Sequence, residues 1–283
     1  VQYAQHLRWR SPRPRPYHPP VLRWLTERRR ARLAAAPYPA GWDTTLARNV
    51  RAWAWLDDDQ QARLRDLIQV FIAEKHWEGC GGLVLDDEMR VTIAGSACVM
   101  ILGRDHDLLG EVESILVYPS AVVLPDPATG TFDGRPRVHG EGTAVLGLAH
   151  HGGPVVLAWD AVLTGARNGG DGRNLVVHEI AHKIDFLDGE ADGTPPLGGA
   201  AQRRAWAQAC TSAFAAHQRG DEDLLRAYAT ENEAEFFAVS SEVFFERPAR
   251  MARELPALYA VLRDFYRLDL ATRPRRPGTI AAP

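Results

Sequence analysis

Two imidazoles and a carboxylate define the chemistry open to this chain. They stand in Val176-Val177-His178-Glu179-Ile180-Ala181-His182-Lys183-Ile184-Asp185, in the spacing His-Glu-x-x-His. Residues four apart on a helix share a face and lie about 6 Å apart along the axis, so His178 and His182 can both reach one Zn²⁺ at ~2.0–2.1 Å. Glu179 then flanks the ion rather than binding it. There its carboxylate can take a proton from a zinc-bound water, whose pKa the metal lowers toward ~7. A zinc hydrolase keeps three protein ligands and leaves a fourth position open to water, so a third ligand must come from elsewhere. Asp185 is seven positions beyond His178, about 10.5 Å of helix rise, which suits it to supporting the helix rather than to the same ion. The acidic stretch Glu231-Asn232-Glu233-Ala234-Glu235-Phe236-Phe237, with Glu242 further along, offers candidates. His150-His151 sits in a Gly-rich stretch and reads as a surface loop. Asp188-Gly189-Glu190-Ala191-Asp192-Gly193 spaces carboxylates like the start of a calcium loop, but its twelfth position is Gly199, where bidentate ligation needs Glu.

A metal-binding helix has to be held firmly, since ligand geometry tolerates little slack. Val176, Val177, Ile180, Ala181 and Ile184 supply an apolar face for that purpose. The spacing predicts a helix of about four turns that starts near Arg173 and is stopped by Gly189. Before it, Gly152 to Trp159 reads as a short apolar strand, followed by Asp160 as a cap and a turn at Asn168-Gly169-Gly170-Asp171. Earlier in the chain, Asp57 and Gln60 form a capping-box pattern ahead of the stripe Leu64, Leu67, Ile68, Phe71 and Ile72. Glu88 to Leu102, small and apolar almost throughout, predicts a buried helix ending at Gly103. Ser114–Tyr118 and Ala121–Leu124 predict strands, and Phe132 to Leu148 a hairpin. Only helices are expected after the metal helix: Ala201–Gln218, Asp223–Ala229, Glu231–Phe245 and Pro256–Leu268. Helices, then a few strands, then helices predict an α+β class with a small mixed sheet.

The 283 residues, 46% hydrophobic and 24% charged, suit an ordinary globular chain. No run approaches the ~20 apolar residues of a membrane span, no secretory signal is visible, and the expected location is the cytoplasm. Cys80, Cys98 and Cys210 are odd in number and widely spaced, which argues against a disulfide framework and a thiolate metal site. The net charge of −3 conceals an asymmetry. Residues 1–35 hold Arg8, Arg10, Arg13, Arg15, Arg23, Arg28, Arg29, Arg30 and Arg32 against Glu27 alone. The expected organisation is an Arg/Pro-rich arm over 1–41, with a basic helix between Val21 and Ala36, a folded unit over 42–272, and a Pro/Arg-rich tail over 273–283. Such arms carry little binding specificity by themselves, so neither a nucleic-acid nor a membrane partner is expected.

His178-Glu179-Ile180-Ala181-His182-Lys183-Ile184-Asp185, the Gly153–Trp159 strand, and Tyr228 to Val239 with Ser241–Phe245 together resemble the Mlc titration factor A family of zinc peptidases. The resemblance covers roughly residues 45–270 and leaves the Arg-rich arm outside. The second half is also similar to the zinc domain of the lethal factor protease, where a Tyr precedes the ligand Glu at the spacing of Tyr228 and Glu235. The resemblance implies a zincin-like fold and one Zn²⁺ per chain. It also implies His178, His182 and Glu235 as ligands, Glu179 as general base, and Tyr228 as support for the transition-state oxyanion. Two neutral imidazoles and one carboxylate would leave the ion with a net charge near +1, enough to activate water and polarise a peptide carbonyl. The strand Val155–Trp159 is then expected to pair with an extended peptide substrate. The family name implies a second role, as a regulatory protein that sequesters a transcriptional repressor.

Overall fold

Polar side chains start the principal helices, and apolar faces then hold them. In the computed structural model, which describes residues 20–123, 144–145, 147–149, 153–168 and 170–273, Asp57 accepts the Gln60 N–H at 2.9 Å and the Gln60 side chain accepts the Asp57 N–H at 3.3 Å. This is the expected capping box, and it opens the helix Asp58–Glu74. Asp86, Asn174 and Asn232 each accept one N–H of the first turn that follows them.

The helices in chain order are α1 (Pro20–Ala34), α2 (Trp42–Asn49), α3 (Asp58–Glu74), α4 (Asp87–Val99), α5 (Trp159–Arg167), α6 (Leu175–Asp185), α7 (Ala200–Gln218), α8 (Glu233–Glu246), α9 (Pro248–Glu254) and α10 (Pro256–Tyr266). The strands are β1 (His76–Gly79), β2 (Ser114–Tyr118), β3 (Val122–Val123), β4 (Ala144–Val145), β5 (Gly147–Ala149) and β6 (Val155–Ala158). The architecture is therefore mixed α and β, mostly helical. One sheet runs β1-β2-β6-β5, with β1, β2 and β6 parallel and β5 antiparallel to β6, while β3 and β4 form a separate antiparallel pair. In the core, α6 packs between α4, the β5–β6 end of the sheet and α8. From Val91 to Leu102 every residue is buried, as the small apolar run implied.

Several expectations need correction. Trp159 is the first residue of α5 rather than the end of a strand, and the Pro119 carbonyl accepts the Asp160 N–H as the chain turns. Val155–Ala158 lies inside the sheet with β2 on one side and β5 on the other, so its backbone has no free edge for a peptide. The sheet edge nearest α6 is β5. Asp223–Ala229 is not a helix: the Glu222 side chain accepts the N–H groups of Leu224 and Leu225, competing with helical bonding, and only a 3₁₀ turn, Ala227–Thr230, forms. The last helix stops at Tyr266, where Arg267 takes a left-handed conformation at φ 53°, and α9 precedes it. The hairpin expected over Phe132–Leu148 lies outside the described residues for positions 132–143, and its final part divides between the two sheets as β4 and β5. His150, His151, the tail from residue 274 and residues 1–19 are also outside the described residues. The helix expected between Val21 and Ala36 is α1, which Arg30 ties to Glu74 of α3 at 3.0 Å. Among the described residues no helix is long and apolar enough to cross a membrane.

Candidate metal centre

Asn174 begins the site. Its Oδ1 accepts the Val177 N–H at 3.1 Å and starts α6 one residue later than Arg173, so that His178 and His182 fall on the face toward α8. On α8, Asn232 caps the first turn and Glu235 follows within it. Three ligand-type atoms converge: His178 Nε2 lies 3.3 Å from His182 Nε2 and 3.1 Å from Glu235 Oε2, which is 3.4 Å from His182 Nε2. A tetrahedral ion with bonds of ~2.0–2.1 Å sets its ligand atoms about 3.3–3.4 Å apart, so this triangle fits Zn²⁺ without rearrangement. Among the described residues it is the only group of three His, Cys, Asp or Glu side chains close enough to hold a metal.

The surroundings prepare those atoms for a cation. His178 Nδ1 lies 2.8 Å from Glu242 Oε1 and 3.3 Å from Arg226 Nη2. The shorter contact, to an acceptor, puts the hydrogen on Nδ1 and leaves the Nε2 lone pair facing Glu235 and His182. Glu242, 1% exposed, is itself satisfied: its Oε2 accepts the Asn174 N–H at 2.7 Å, and Arg226 Nη1 meets its Oε1 at 2.6 Å. Burial works against a charge on His178, but the carboxylates of Glu235 and Glu242 outweigh it and push the pKa up to about 9. Burial also raises the Glu235 carboxyl, yet His178 and His182 overcome it and hold that group well below the usual carboxylate range. The pocket between these side chains thus favours positive charge, as a metal site must.

Glu179, 4% exposed, points from the same helix toward β5. A Cβ on Gly147 would collide with its Oε1, so the glycine lets the strand pass against the carboxylate. Burial raises the Glu179 pKa to about 7, with Glu235 and Glu242 adding to the shift and His178 opposing it. Tyr228 follows Arg226 in the 3₁₀ turn and is 47% exposed, its ring centroid 6.0 Å from that of His178 and 5.6 Å from the Arg226 guanidinium. Partial burial, then the nearby Glu235, pushes its pKa up to about 12, which keeps the phenol protonated and able to donate.

The structure thus gathers His178, His182, Glu235, Glu179, Tyr228 and Glu242. It does not bring in Glu231 or Glu233, which are exposed. Asp185 is fully buried away from the triangle, where its Oδ2 accepts the Gly193 N–H at 3.0 Å. That contact braces the loop Asp188–Gly193, whose carboxylates gather no third ligand-type partner among the described residues. Sequence reasoning missed Arg226, Glu246, Gly147 and the capping role of Asn174. Only Asn174 carried a local signal, an Asn just before an apolar helical run.

A family model described as Glucose-regulated metallo-peptidase M90 matches residues 24–267. An uncharacterized protein of Synechocystis sp. is 31% identical over 256 residues, covering 87% of this chain and 90% of its own length. Proteins named Mlc titration factor A are similar to a like degree. The one from Cronobacter sakazakii is 30% identical, over 89% of this chain and 95% of its own, and the one from Salmonella agona is 33% identical, over 83% and 88%. The family match begins inside α1, earlier than the resemblance read from motifs.

Proposed function

The chain belongs to the M90 family of glucose-regulated metallo-peptidases, and from that premise we propose that it is a zinc-dependent peptidase of zincin-like fold. His178, His182 and Glu235 would hold one Zn²⁺ per chain. The observation that carries this reading is the triangle of ligand atoms at 3.1–3.4 Å. When bound, the ion supplies Lewis acidity, polarising the scissile carbonyl and lowering the pKa of the attacking water. The chain's own residues do the rest. Glu179 takes the proton from that water and returns it to the departing amine, a task suited to a carboxyl whose pKa lies at about 7. Tyr228 donates its phenolic hydrogen to the carbonyl oxygen as charge builds there. The edge of β5 offers backbone groups to an extended peptide, and Gly147 keeps Glu179 clear of that strand.

Zinc analysis combined with peptide hydrolysis tests the reading. Purified protein is expected to hold about one zinc per chain, to lose it in His178→Ala and His182→Ala, and to keep it in Glu179→Gln while losing hydrolysis of a chromogenic peptide. Full zinc retention in both histidine variants would refute the site. The name of the Mlc titration factor A relatives supports a second role, binding of a transcriptional repressor. Repressor binding that survives in Glu179→Gln would separate that role from catalysis.

A further inference from the structure

Behind the metal centre a second His–carboxylate pair is buried without touching any proposed ligand. His217, in the last turn of α7, and Glu222, in the following loop, have side chains 7% and 10% exposed, and His217 Nδ1 pairs with Glu222 Oε1. The other Glu222 oxygen accepts the N–H groups of Leu224 and Leu225 at 2.9 and 3.2 Å, and both leucines are buried. His217 Nε2 donates to the Arg226 carbonyl at 3.1 Å. That same carbonyl accepts the Ala229 N–H at 2.9 Å, so it is the first acceptor of the 3₁₀ turn that carries Tyr228. The Arg226 side chain leaves in the opposite sense, to Glu242.

Tyr228 needs such an anchor. Its side chain is 47% exposed, so packing cannot set its direction, and a turn of four residues has few internal hydrogen bonds. The phenol is therefore aimed by whatever holds the backbone beneath it. We propose that the His217–Glu222 pair is a positioning element for Tyr228, gripping the Arg226 carbonyl from which the turn begins. The proposal rests on the reading of Tyr228 as oxyanion donor. It assigns a role to two side chains that do not touch substrate or metal.

The test uses the full zinc-loaded chain in four variants: His217→Gln, Glu222→Gln, Tyr228→Phe and the double variant His217→Gln/Tyr228→Phe. Expected for His217→Gln and Glu222→Gln are a kcat on a chromogenic peptide lowered roughly 10-fold, as a small misplacement of a catalytic group gives, an essentially unchanged KM, and full zinc content. Amide exchange at Ala229 should quicken in both, with the α6 amides unaffected. In the Tyr228→Phe background, His217→Gln should cost nothing further, because the group it aims is gone. Additive losses in the double variant would overturn the proposal, as would a wild-type kcat in both Glu222→Gln and His217→Gln. A wild-type kcat in Tyr228→Phe would instead remove the oxyanion reading, and a slow His217→Gln beside it would show the pair acting elsewhere. Should His217→Gln fail to fold by circular dichroism, Glu222→Gln, close in size and still an acceptor for the leucine amides, carries the comparison.

Discussion

Glu233 and Glu235 are two positions apart, which on a helix is about 200° of rotation, and this angle decides which of them can serve a metal on the α6 side. Glu235 faces His178 and His182, while Glu233 is exposed. Glu235→Ala is therefore expected to lose zinc and Glu233→Ala to be nearly silent, as read by metal content after dialysis against a weak chelator. Glu242 reaches the ion only through His178, so Glu242→Gln should retain zinc with affinity weakened within the ~10–100-fold range typical of partners that orient a ligand. Zinc lost from Glu242→Gln but kept by Glu235→Ala would transfer the ligand role. Tyr228→Phe keeps the ring and removes the donor, so kcat should fall by roughly 10²–10³ with metal content unchanged. A fall in KM alone would place the phenol in substrate binding instead.

At the scale of elements, the site depends on a strand and a cap that carry no reactive group. Gly147 in β5 leaves no room for a Cβ beside the Glu179 carboxylate. Gly147→Ala is thus expected to push Glu179 aside, lowering kcat steeply while zinc and far-UV circular dichroism stay as they were. Unchanged turnover would mean that β5 yields instead. Asn174 serves α6 twice, capping it through Oδ1 and donating through Nδ2 to buried Glu246 at 2.8 Å. Asn174→Ala should destabilise by about 1 kcal/mol for the cap and a further ~1–3 kcal/mol for the buried acceptor left alone, measurable by urea titration. These examples show what was legible in advance. The metal helix, its apolar face and the candidate ligands could be read because helical period and ligand chemistry are both local. β5 could not, since Gly147-Leu148-Ala149 has no strand pattern of its own and is defined by pairing with β6. The same limit applies to β1, whose His76-Trp77-Glu78-Gly79 pairs with β2, and to Val155–Ala158, whose interior place depends on strands distant in sequence. Arg226 was overlooked because its partners, Glu242 and His178, lie 16 and 48 positions away.

Over the whole molecule, burial of carboxylates couples stability to pH. Burial raises the Glu246 pKa to about 7, against the opposing pull of its bond to Asn174 and of Arg51. A carboxyl raised from 4.5 to about 7 favours the folded state while protonated, and that advantage is lost as pH rises through 7. Glu246→Gln, which keeps an acceptor for Asn174 and cannot ionise, should therefore stabilise the protein at pH 8 by up to roughly 2–3 kcal/mol and do little at pH 4.5. Equal effects at both values would dismiss the linkage. Metal removal should act more gently. α6 and α8 are joined near one end by Asn174 with Glu242 and Glu246, and near the other by Asp185 through Gly193, which lies against the Glu233 carbonyl. Chelator-treated protein is expected to keep its far-UV spectrum and lose only the few degrees of melting temperature that ligand linkage gives, whereas unfolding on zinc removal would make the ion part of the scaffold. The placement of Glu235, Glu242 and Glu246 on one face of α8 also makes that helix a ruler. One residue inserted between Ala238 and Val239 would leave Glu235 in place and swing both later carboxylates by about 100°, parting His178 and Asn174 from their supports together. Point changes along α8 can be absorbed singly, but a change of length cannot. In a scan of single-alanine insertions scored by zinc content, the window between residues 235 and 246 should be the least forgiving stretch of the chain.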